Sequence, residues 1–223
     1  MIFFAKGRGI DWQNVVFGLF LFSLISGSSL LAVEPASLNA RGSCLLGIRG
    51  HQQSNDYTCG PSAILSLLKY YNMEGSELEM AKEMKTIPGS GTHPVIMTEW
   101  LNNHGFKAEW RENANGDGSR LEMLRGYLAK GIPILVEWID WGGHWVVVAG
   151  YDTKGTESTS DDVIILADPY DRIDRVNDGL TTFNAERFDS MWFDANCFDR
   201  KMWGVHIIAQ PQKINQRKSS LIK

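Results

Sequence analysis

The sequence contains few cysteines and no cluster of basic residues, and each absence excludes a class of protein. Three cysteines and five histidines occur among 223 residues, and none of them form the closely spaced pairs typical of zinc sites. We therefore expect neither a metal nor a cofactor. The formal net charge is −4 and Lys and Arg are scattered, which argues against nucleic acid as a partner. No internal repeat or low-complexity segment is apparent.

The amino-terminal sequence predicts a targeting segment ahead of one globular domain. Two basic residues precede an apolar stretch at 15–33, so we interpret residues 1–36 as an export signal. The alternatives are an uncleaved membrane anchor, since about 20 apolar residues span a bilayer, and a helix of the core. The first two predict that residues 37–212 form a single domain in the periplasm or outside the cell. Residues 213–223 are expected to be a frayed tail.

Cys59 stands where a helix is predicted to begin. An apolar stretch at 63–71 follows it, and Pro61 suits the first turn of such a helix. Unpaired backbone N–H groups and the positive end of the helix dipole favour a thiolate there. Gln53 precedes Cys59 by six residues, and its amide could join the Cys59 N–H in binding an oxyanion. The structural alternative is a cysteine buried under the helix start.

His144 and Asp168 flank two predicted strands. His144 opens a nearly continuous apolar run, typical of a central strand, and a second β-rich run at 163–167 ends at Asp168. The polar residues 153–162 between them predict a hairpin loop. Antiparallel pairing would set Asp168 beside His144, where a carboxylate can orient the imidazole toward a thiol. Taken alone, His144 could be a buried structural histidine, and Asp168 could belong to an Asp-Pro turn. Together with Cys59, the two residues predict a catalytic triad.

The order of the remaining elements predicts the fold class. Capping boxes at 76–79 and 119–122 and a proline-led start at 94 indicate three further helices, and strands are expected at 132–138 and 204–210. Helices come first in the chain and strands follow. This order predicts an α+β fold, in which a helical half carrying the nucleophile packs on an antiparallel β-sheet carrying His and Asp.

These motifs resemble the C39-like cysteine peptidases, a papain-fold group that includes the double-glycine leader peptidases. The likeness covers about residues 45–210 and rests on Gln53 and on the segments 57–62, 143–152 and 167–169. It implies a papain-like fold. It also implies that Gln53 stabilises the oxyanion, Cys59 is the nucleophile, His144 is the general base and acid, and Asp168 orients His144.

Two neighbouring residues bear on how far the resemblance extends. Gln52 competes with Gln53 for the oxyanion role, and the spacing to Cys59 favours Gln53. Thr58 stands directly before Cys59, where leader peptidases commonly have an acidic residue. The resemblance therefore implies a peptide substrate without specifying a double-glycine leader.

The predicted function is hydrolysis of peptide bonds in a peptide or protein substrate by an exported cysteine peptidase. One alternative is a transglutaminase or γ-glutamyl transferase, in which the same triad passes the acyl group to an amine. Another is an inactive extracytoplasmic module that binds peptides. Cys44 and Cys197 could form a disulfide or could both be free thiols, and the sequence does not distinguish these alternatives. Three tryptophans, Trp138, Trp141 and Trp145, are candidates for lining the cleft or for the core.

Overall fold

The computed structural model describes residues 42–115, 118–172, 175–194 and 197–212. The predicted export signal or anchor at 1–36 and the predicted tail at 213–223 both lie outside these residues. Among the helices that the structure describes, none is long and apolar enough to cross a membrane.

Five α-helices occur in the described part of the chain. They are α1 (Cys59–Tyr70), α2 (Glu77–Glu83), α3 (Pro94–Asn103), α4 (Ser119–Leu128) and α5 (Ala185–Met191). Every residue of α1 from Cys59 to Leu68 is buried, in keeping with the apolar stretch that predicts this helix. Its start is therefore enclosed by the domain rather than exposed to water.

The helix starts follow the sequence signals at α2 and α3 and depart from them at α4. The Ser76 hydroxyl accepts the backbone N–H of Glu79 at 3.4 Å, as the capping box predicts. Pro94 is the first residue of α3. The second capping box is wrong: Gly118 precedes α4 as its cap, and Ser119 is already helical. Gly118 has a φ of +85°, a left-handed conformation that glycine adopts without strain.

The strands form one antiparallel sheet. They are β1 (Cys44–Leu45), β2 (Phe106–Arg111), β3 (Ile134–Trp138), β4 (His144–Asp152), β5 (Val163–Ala167), β6 (Leu180–Asn184) and β7 (His206–Pro211). Their order across the sheet is β2-β7-β3-β4-β5-β6, and β1 pairs with β4. This architecture confirms the predicted α+β class with an antiparallel sheet.

Strand β4 lies in the interior of the sheet, and it is the strand on which helix α1 packs. Its residues are buried from His144 to Tyr151, as their apolar sequence predicts for a central strand. It pairs with β3 on one side and β5 on the other, and α1 packs against it. The helix that begins with Cys59 therefore lies on the strand that begins with His144.

The sequence signals do not predict β2, β6 or α5. Strands β2 and β6 are the two ends of the sheet order, where one edge has no neighbouring strand in that order. In β2, buried and partly buried residues alternate with exposed ones. Edge strands are partly solvated, so their sequences lack the long apolar runs that mark β4.

Candidate active site

Cys59 is the first residue of α1, at the end of the helix where backbone N–H groups have no helical partner. Its side chain is buried, with 7% of the residue surface exposed. The backbone N–H groups of Gly60 and Trp145 help to lower the pKa of its thiol. The helix start and the first residues of β4 thus surround the thiol with donors.

The pairing of β4 with β5 brings His144 and Asp168 together. His144 Nε2 lies 2.8 Å from Asp168 Oδ1, and both residues are almost fully buried. The same Oδ1 accepts the backbone N–H of Tyr170 at 2.7 Å. Because Nε2 faces the carboxylate, Nδ1 is the nitrogen that remains for the interaction with Cys59, which helps to raise the pKa of His144. The imidazole therefore interacts with the thiol on one side and with the carboxylate on the other.

The charges of these three groups stabilise one another despite their burial. Burial opposes ionisation of Cys59, but the hydrogen bond and attraction to His144 hold the pKa of the thiol below its usual value. Burial likewise disfavours a charged His144, yet its bonds to Asp168 and Cys59 raise the pKa of the imidazole. Burial raises the pKa of Asp168, but the hydrogen bond and attraction to His144, together with the Tyr170 N–H and Thr181, outweigh burial and lower that pKa. The arrangement favours a thiolate–imidazolium pair beside a carboxylate, which suits nucleophilic catalysis.

The two glutamines before Cys59 have different partners. Gln53 Nε2 donates to the carbonyl oxygen of Asn55 at 2.8 Å, within the loop that leads to Cys59. Gln52 Nε2 donates instead to the carbonyl oxygen of Asp168 at 3.1 Å. The backbone N–H of Gln53 bonds the carbonyl of Pro169 at 2.9 Å. Gln53 thus belongs to the loop beside the nucleophile, whereas Gln52 supports the turn after β5.

A match to a protein family includes all of the candidate site residues. The chain matches the model of the Peptidase_C39 like family over residues 45–196. The chain belongs to this family. Its activity is therefore that of a cysteine-type peptidase, which is a hydrolase. No curated protein matches the sequence of this C39-like peptidase.

Three solved structures are similar to this C39-like peptidase in fold. The peptidase domain of Streptococcus ComA is 22% identical with a TM-score of 0.53, over 74% of this chain and 99% of that one. A double glycine motif protease from an AMS/PCAT transporter, in complex with its leader peptide, is 17% identical with a TM-score of 0.51, over 75% and 94%. A Bacillus anthracis protein described as a C39-like peptidase is 14% identical with a TM-score of 0.57, over 77% and 98%. These likenesses confirm the papain-like fold that the resemblance implies.

A cleft of about 170 Å³ opens beside Cys59 in the C39-like peptidase. Trp141 and Trp145 line it: Trp141 is 61% exposed, whereas Trp145 is buried and donates its indole N–H to the carbonyl of Thr92. Two glycines of the cleft wall, Gly142 and Gly143, have φ of +82° and +121°, conformations that favour glycine.

One tryptophan considered for the cleft lies elsewhere. Trp138 is fully buried and packs against the rings of Phe183 and Phe188. It belongs to the core, because its position in β3 directs it into the packed interior. Of the three tryptophans, Trp141 is therefore the exposed one that a substrate in the cleft can reach, and the buried Trp145 forms part of the cleft wall.

Two of the cleft residues that the sequence does not predict, Glu137 and Cys197, have side chains that can bind a metal ion. Ligand atoms of these residues and of Asp194 all lie within 4.8 Å of one another, so the group could hold a metal ion. Asp194 also accepts the backbone N–H groups of Cys197 and Phe198 at 3.0 and 3.3 Å. A search for closely spaced cysteines and histidines cannot find this group, because two of its members are carboxylates and Glu137 comes from β3, a distant part of the chain.

The three cysteines of the C39-like peptidase are free thiols in this structure. The disulfide between Cys44 and Cys197, which the sequence left open, is therefore not formed. The Cys44 thiol instead donates to the carbonyl of Leu128 at 3.4 Å. Burial raises the pKa of Cys44, and burial together with nearby carboxylates raises the pKa of Cys197. Cys59 is the cysteine whose pKa is lowered.

Proposed function

We propose that this peptidase hydrolyses peptide bonds with Cys59 as nucleophile, His144 as general base and acid, and Asp168 as the residue that orients His144. The observation that carries the proposal is the buried His144 imidazole, which lies 2.8 Å from the Asp168 carboxylate and also interacts with the Cys59 thiol. Cys59 also lines the cleft, so a substrate there can reach the sulfur.

The proposed reaction proceeds through an acyl-enzyme. The Cys59 thiolate attacks the carbonyl carbon of the scissile bond and forms a tetrahedral intermediate with a negatively charged oxygen. The His144 imidazolium then protonates the leaving amine as the carbon–nitrogen bond breaks, which leaves a thioester on Cys59. A water molecule, deprotonated by His144, attacks the thioester and releases the acid. Cleavage of the carbon–sulfur bond restores the Cys59 thiolate beside the His144 imidazolium, which is the starting pair.

We propose that Gln53 and the backbone N–H of Cys59 bind the oxyanion. A primary amide has two N–H donors, and the bond to Asn55 uses one of the two on Gln53. That bond also fixes the orientation of the amide, because its oxygen would repel the Asn55 carbonyl. The second donor can then point at a substrate oxygen near the start of α1.

We further propose that the substrate is a peptide or protein and that the enzyme acts outside the cytoplasm. The protease from the AMS/PCAT transporter was solved with its leader peptide, which supports a peptide as the ligand of the cleft. The location rests on the basic start and the apolar run at 15–33. If the segment is retained, it would associate the peptidase with the membrane.

Labelling of the full chain with a peptide-epoxide probe, followed by mass spectrometry, tests the nucleophile. We expect modification at Cys59, and we expect Cys59→Ala to abolish both labelling and turnover of fluorogenic peptides. Cys44→Ser is the matched control and should keep both, because Cys44 lies in β1 outside the cleft lining. Turnover that survives Cys59→Ala would contradict the proposal. Conversion of substrate chiefly to an amine adduct in the presence of added amine would indicate a transferase instead.

A further inference from the structure

The carboxylate of Glu77 is buried beneath the loop 53–58, which leads into α1. Glu77 is the first residue of α2, and only 4% of its surface is exposed. Its Oε1 accepts the backbone N–H of Ser54 at 2.8 Å and the hydroxyl of Thr58 at 2.6 Å. Its Oε2 accepts the Ser54 hydroxyl at 2.8 Å and lies 3.3 Å from His51 Nε2. One side chain of α2 therefore holds both ends of the loop.

The Thr58 hydroxyl connects Glu77 to the rest of the loop. This hydroxyl has one proton and lies 2.6 Å from Glu77 Oε1 and 3.1 Å from the carbonyl oxygen of Asn55. The shorter contact, to a charged acceptor, takes the proton. The hydroxyl oxygen can then accept the backbone N–H of Asn55, at 3.2 Å. The Asn55 carbonyl accepts the side chain of Gln53 at 2.8 Å and the backbone N–H of Thr58 at 3.4 Å.

Glu77 is suited to this task because it is ionised where it is buried. Burial raises the pKa of its carboxyl, but the interactions with Thr58, Ser54 and Ser62 together outweigh burial and lower that pKa. An ionised carboxylate only accepts hydrogen bonds, so it fixes the direction of every donor around it. Thr58 stands where the resemblance leads us to expect an acidic residue, and Glu77 brings a carboxylate from α2 to the Thr58 side chain.

We propose that Glu77 is a positioning residue, which holds the loop 53–58 so that the Gln53 amide and the Cys59 N–H face one point. The inference rests on the proposed function, since that function defines the oxyanion these donors bind. Glu77 is not among the residues that line the cleft. It acts through Thr58, Asn55 and Gln53 rather than on the substrate.

The test compares two reactions of Cys59 in the full-length Glu77→Gln variant. We expect kcat toward a peptide ester to fall about 10- to 100-fold, because loss of one oxyanion donor costs about 100-fold or more. We expect KM to stay within about twofold. Alkylation of Cys59 by iodoacetamide displaces iodide from carbon and forms no oxyanion, so its rate should stay within about threefold of the wild-type rate.

Two further variants make the outcome decisive. Thr58→Val removes the hydroxyl and keeps the side-chain shape, so it should lower kcat selectively even if Glu77→Gln does not fold. Asp189→Asn is the matched control: it removes a partly buried carboxylate that bonds the buried Arg120 at 2.6 and 2.8 Å, outside the cleft lining. It should lower the melting temperature and leave kcat per folded molecule unchanged.

Three results separate the inference from the proposed function. Folded Glu77→Gln or Thr58→Val protein with wild-type kcat would overturn the positioning role. Equal losses in kcat and in alkylation rate would also overturn it, because a merely structural residue changes both together. If wild-type protein neither turns over peptides nor becomes labelled at Cys59, the proposed function itself fails.

Discussion

Substitution of Asp168 distinguishes the part played by its oxygen atom from the part played by its charge. One oxygen, Oδ1, accepts both His144 Nε2 at 2.8 Å and the Tyr170 N–H at 2.7 Å. In Asp168→Asn the Tyr170 N–H holds the amide oxygen in that place, because the amide nitrogen there would face another donor. Asparagine therefore still accepts from Nε2 and keeps the imidazole oriented. Asp168→Ala removes both bonds.

The magnitudes follow from the hydrogen bonds that each variant loses. A hydrogen bond to a charged group contributes about 1.5–3 kcal/mol and a neutral one about 0.5–1.5 kcal/mol. Asp168→Asn should therefore cost about 1–1.5 kcal/mol of transition-state stabilisation, or about tenfold in kcat/KM. Asp168→Ala also leaves the buried Nε2–H without a partner, which costs about 3 kcal/mol, or roughly two orders of magnitude.

The assay is peptide turnover by the wild type and both variants from about pH 5 to about pH 10. In the wild type, the acidic limb of the kcat/KM profile reports the pKa of the Cys59 thiol, and the alkaline limb reports the pKa of the His144 imidazole. The carboxylate helps to raise the pKa of His144, so Asp168→Asn should move the alkaline limb to lower pH. An Asp168→Asn enzyme as slow as Asp168→Ala would refute the reasoning about Oδ1. Wild-type turnover by folded Asp168→Ala would refute an orienting role altogether.

Three other outcomes are expected. At about pH 6, iodoacetamide should alkylate Cys59 at least about tenfold faster than Cys44 or Cys197. The reason is that the pKa of Cys59 is lowered, whereas the pKa values of the other two thiols are raised. Equal alkylation rates would contradict this prediction. Gly50→Ala should lower the free energy of unfolding in urea by about 1–3 kcal/mol, because a Cβ there would overlap the backbone of Asp168. Gly47→Ala, whose Cβ would meet nothing within 4 Å, is its control, and equal losses would count against the cause. A reporter fused after residue 40 should be exported from a bacterial cytoplasm; retention inside would place the segment in the fold.

The sequence predicts best the elements whose signal is local. The apolar run after His144 identifies β4 because a strand covered on both faces needs apolar residues at nearly every position. The helix start at Cys59 follows from the apolar stretch and from Pro61. Edge strands such as β6 have one partly solvated side, so their sequences resemble those of loops.

The parts of the site that the sequence does not predict depend on pairings across the fold. Glu77 reads as a first-turn residue of α2, where acidic residues are common and exposed. Its burial arises because the loop before α1 packs over it, which no local pattern records. Glu137 reads as a polar residue in a strand, and it reaches the cleft because β3 pairs with β4 beside Cys59. Such contacts are set by topology rather than by spacing.

The three proposed catalytic residues come from distant parts of the fold: Cys59 begins α1, His144 begins β4, and Asp168 directly follows β5. Activity therefore depends on folding of the whole domain. Synthesis runs from the amino end, so Cys59 is made well before Asp168. Until β4 pairs with β5 and α1 packs on β4, the thiol has no imidazole partner and no enclosing wall. In a nascent or heat-unfolded chain, Cys59 is therefore an ordinary cysteine without an activating partner. We expect peptide cleavage only in the folded domain. The turnover rate of a sample should therefore be proportional to its folded fraction.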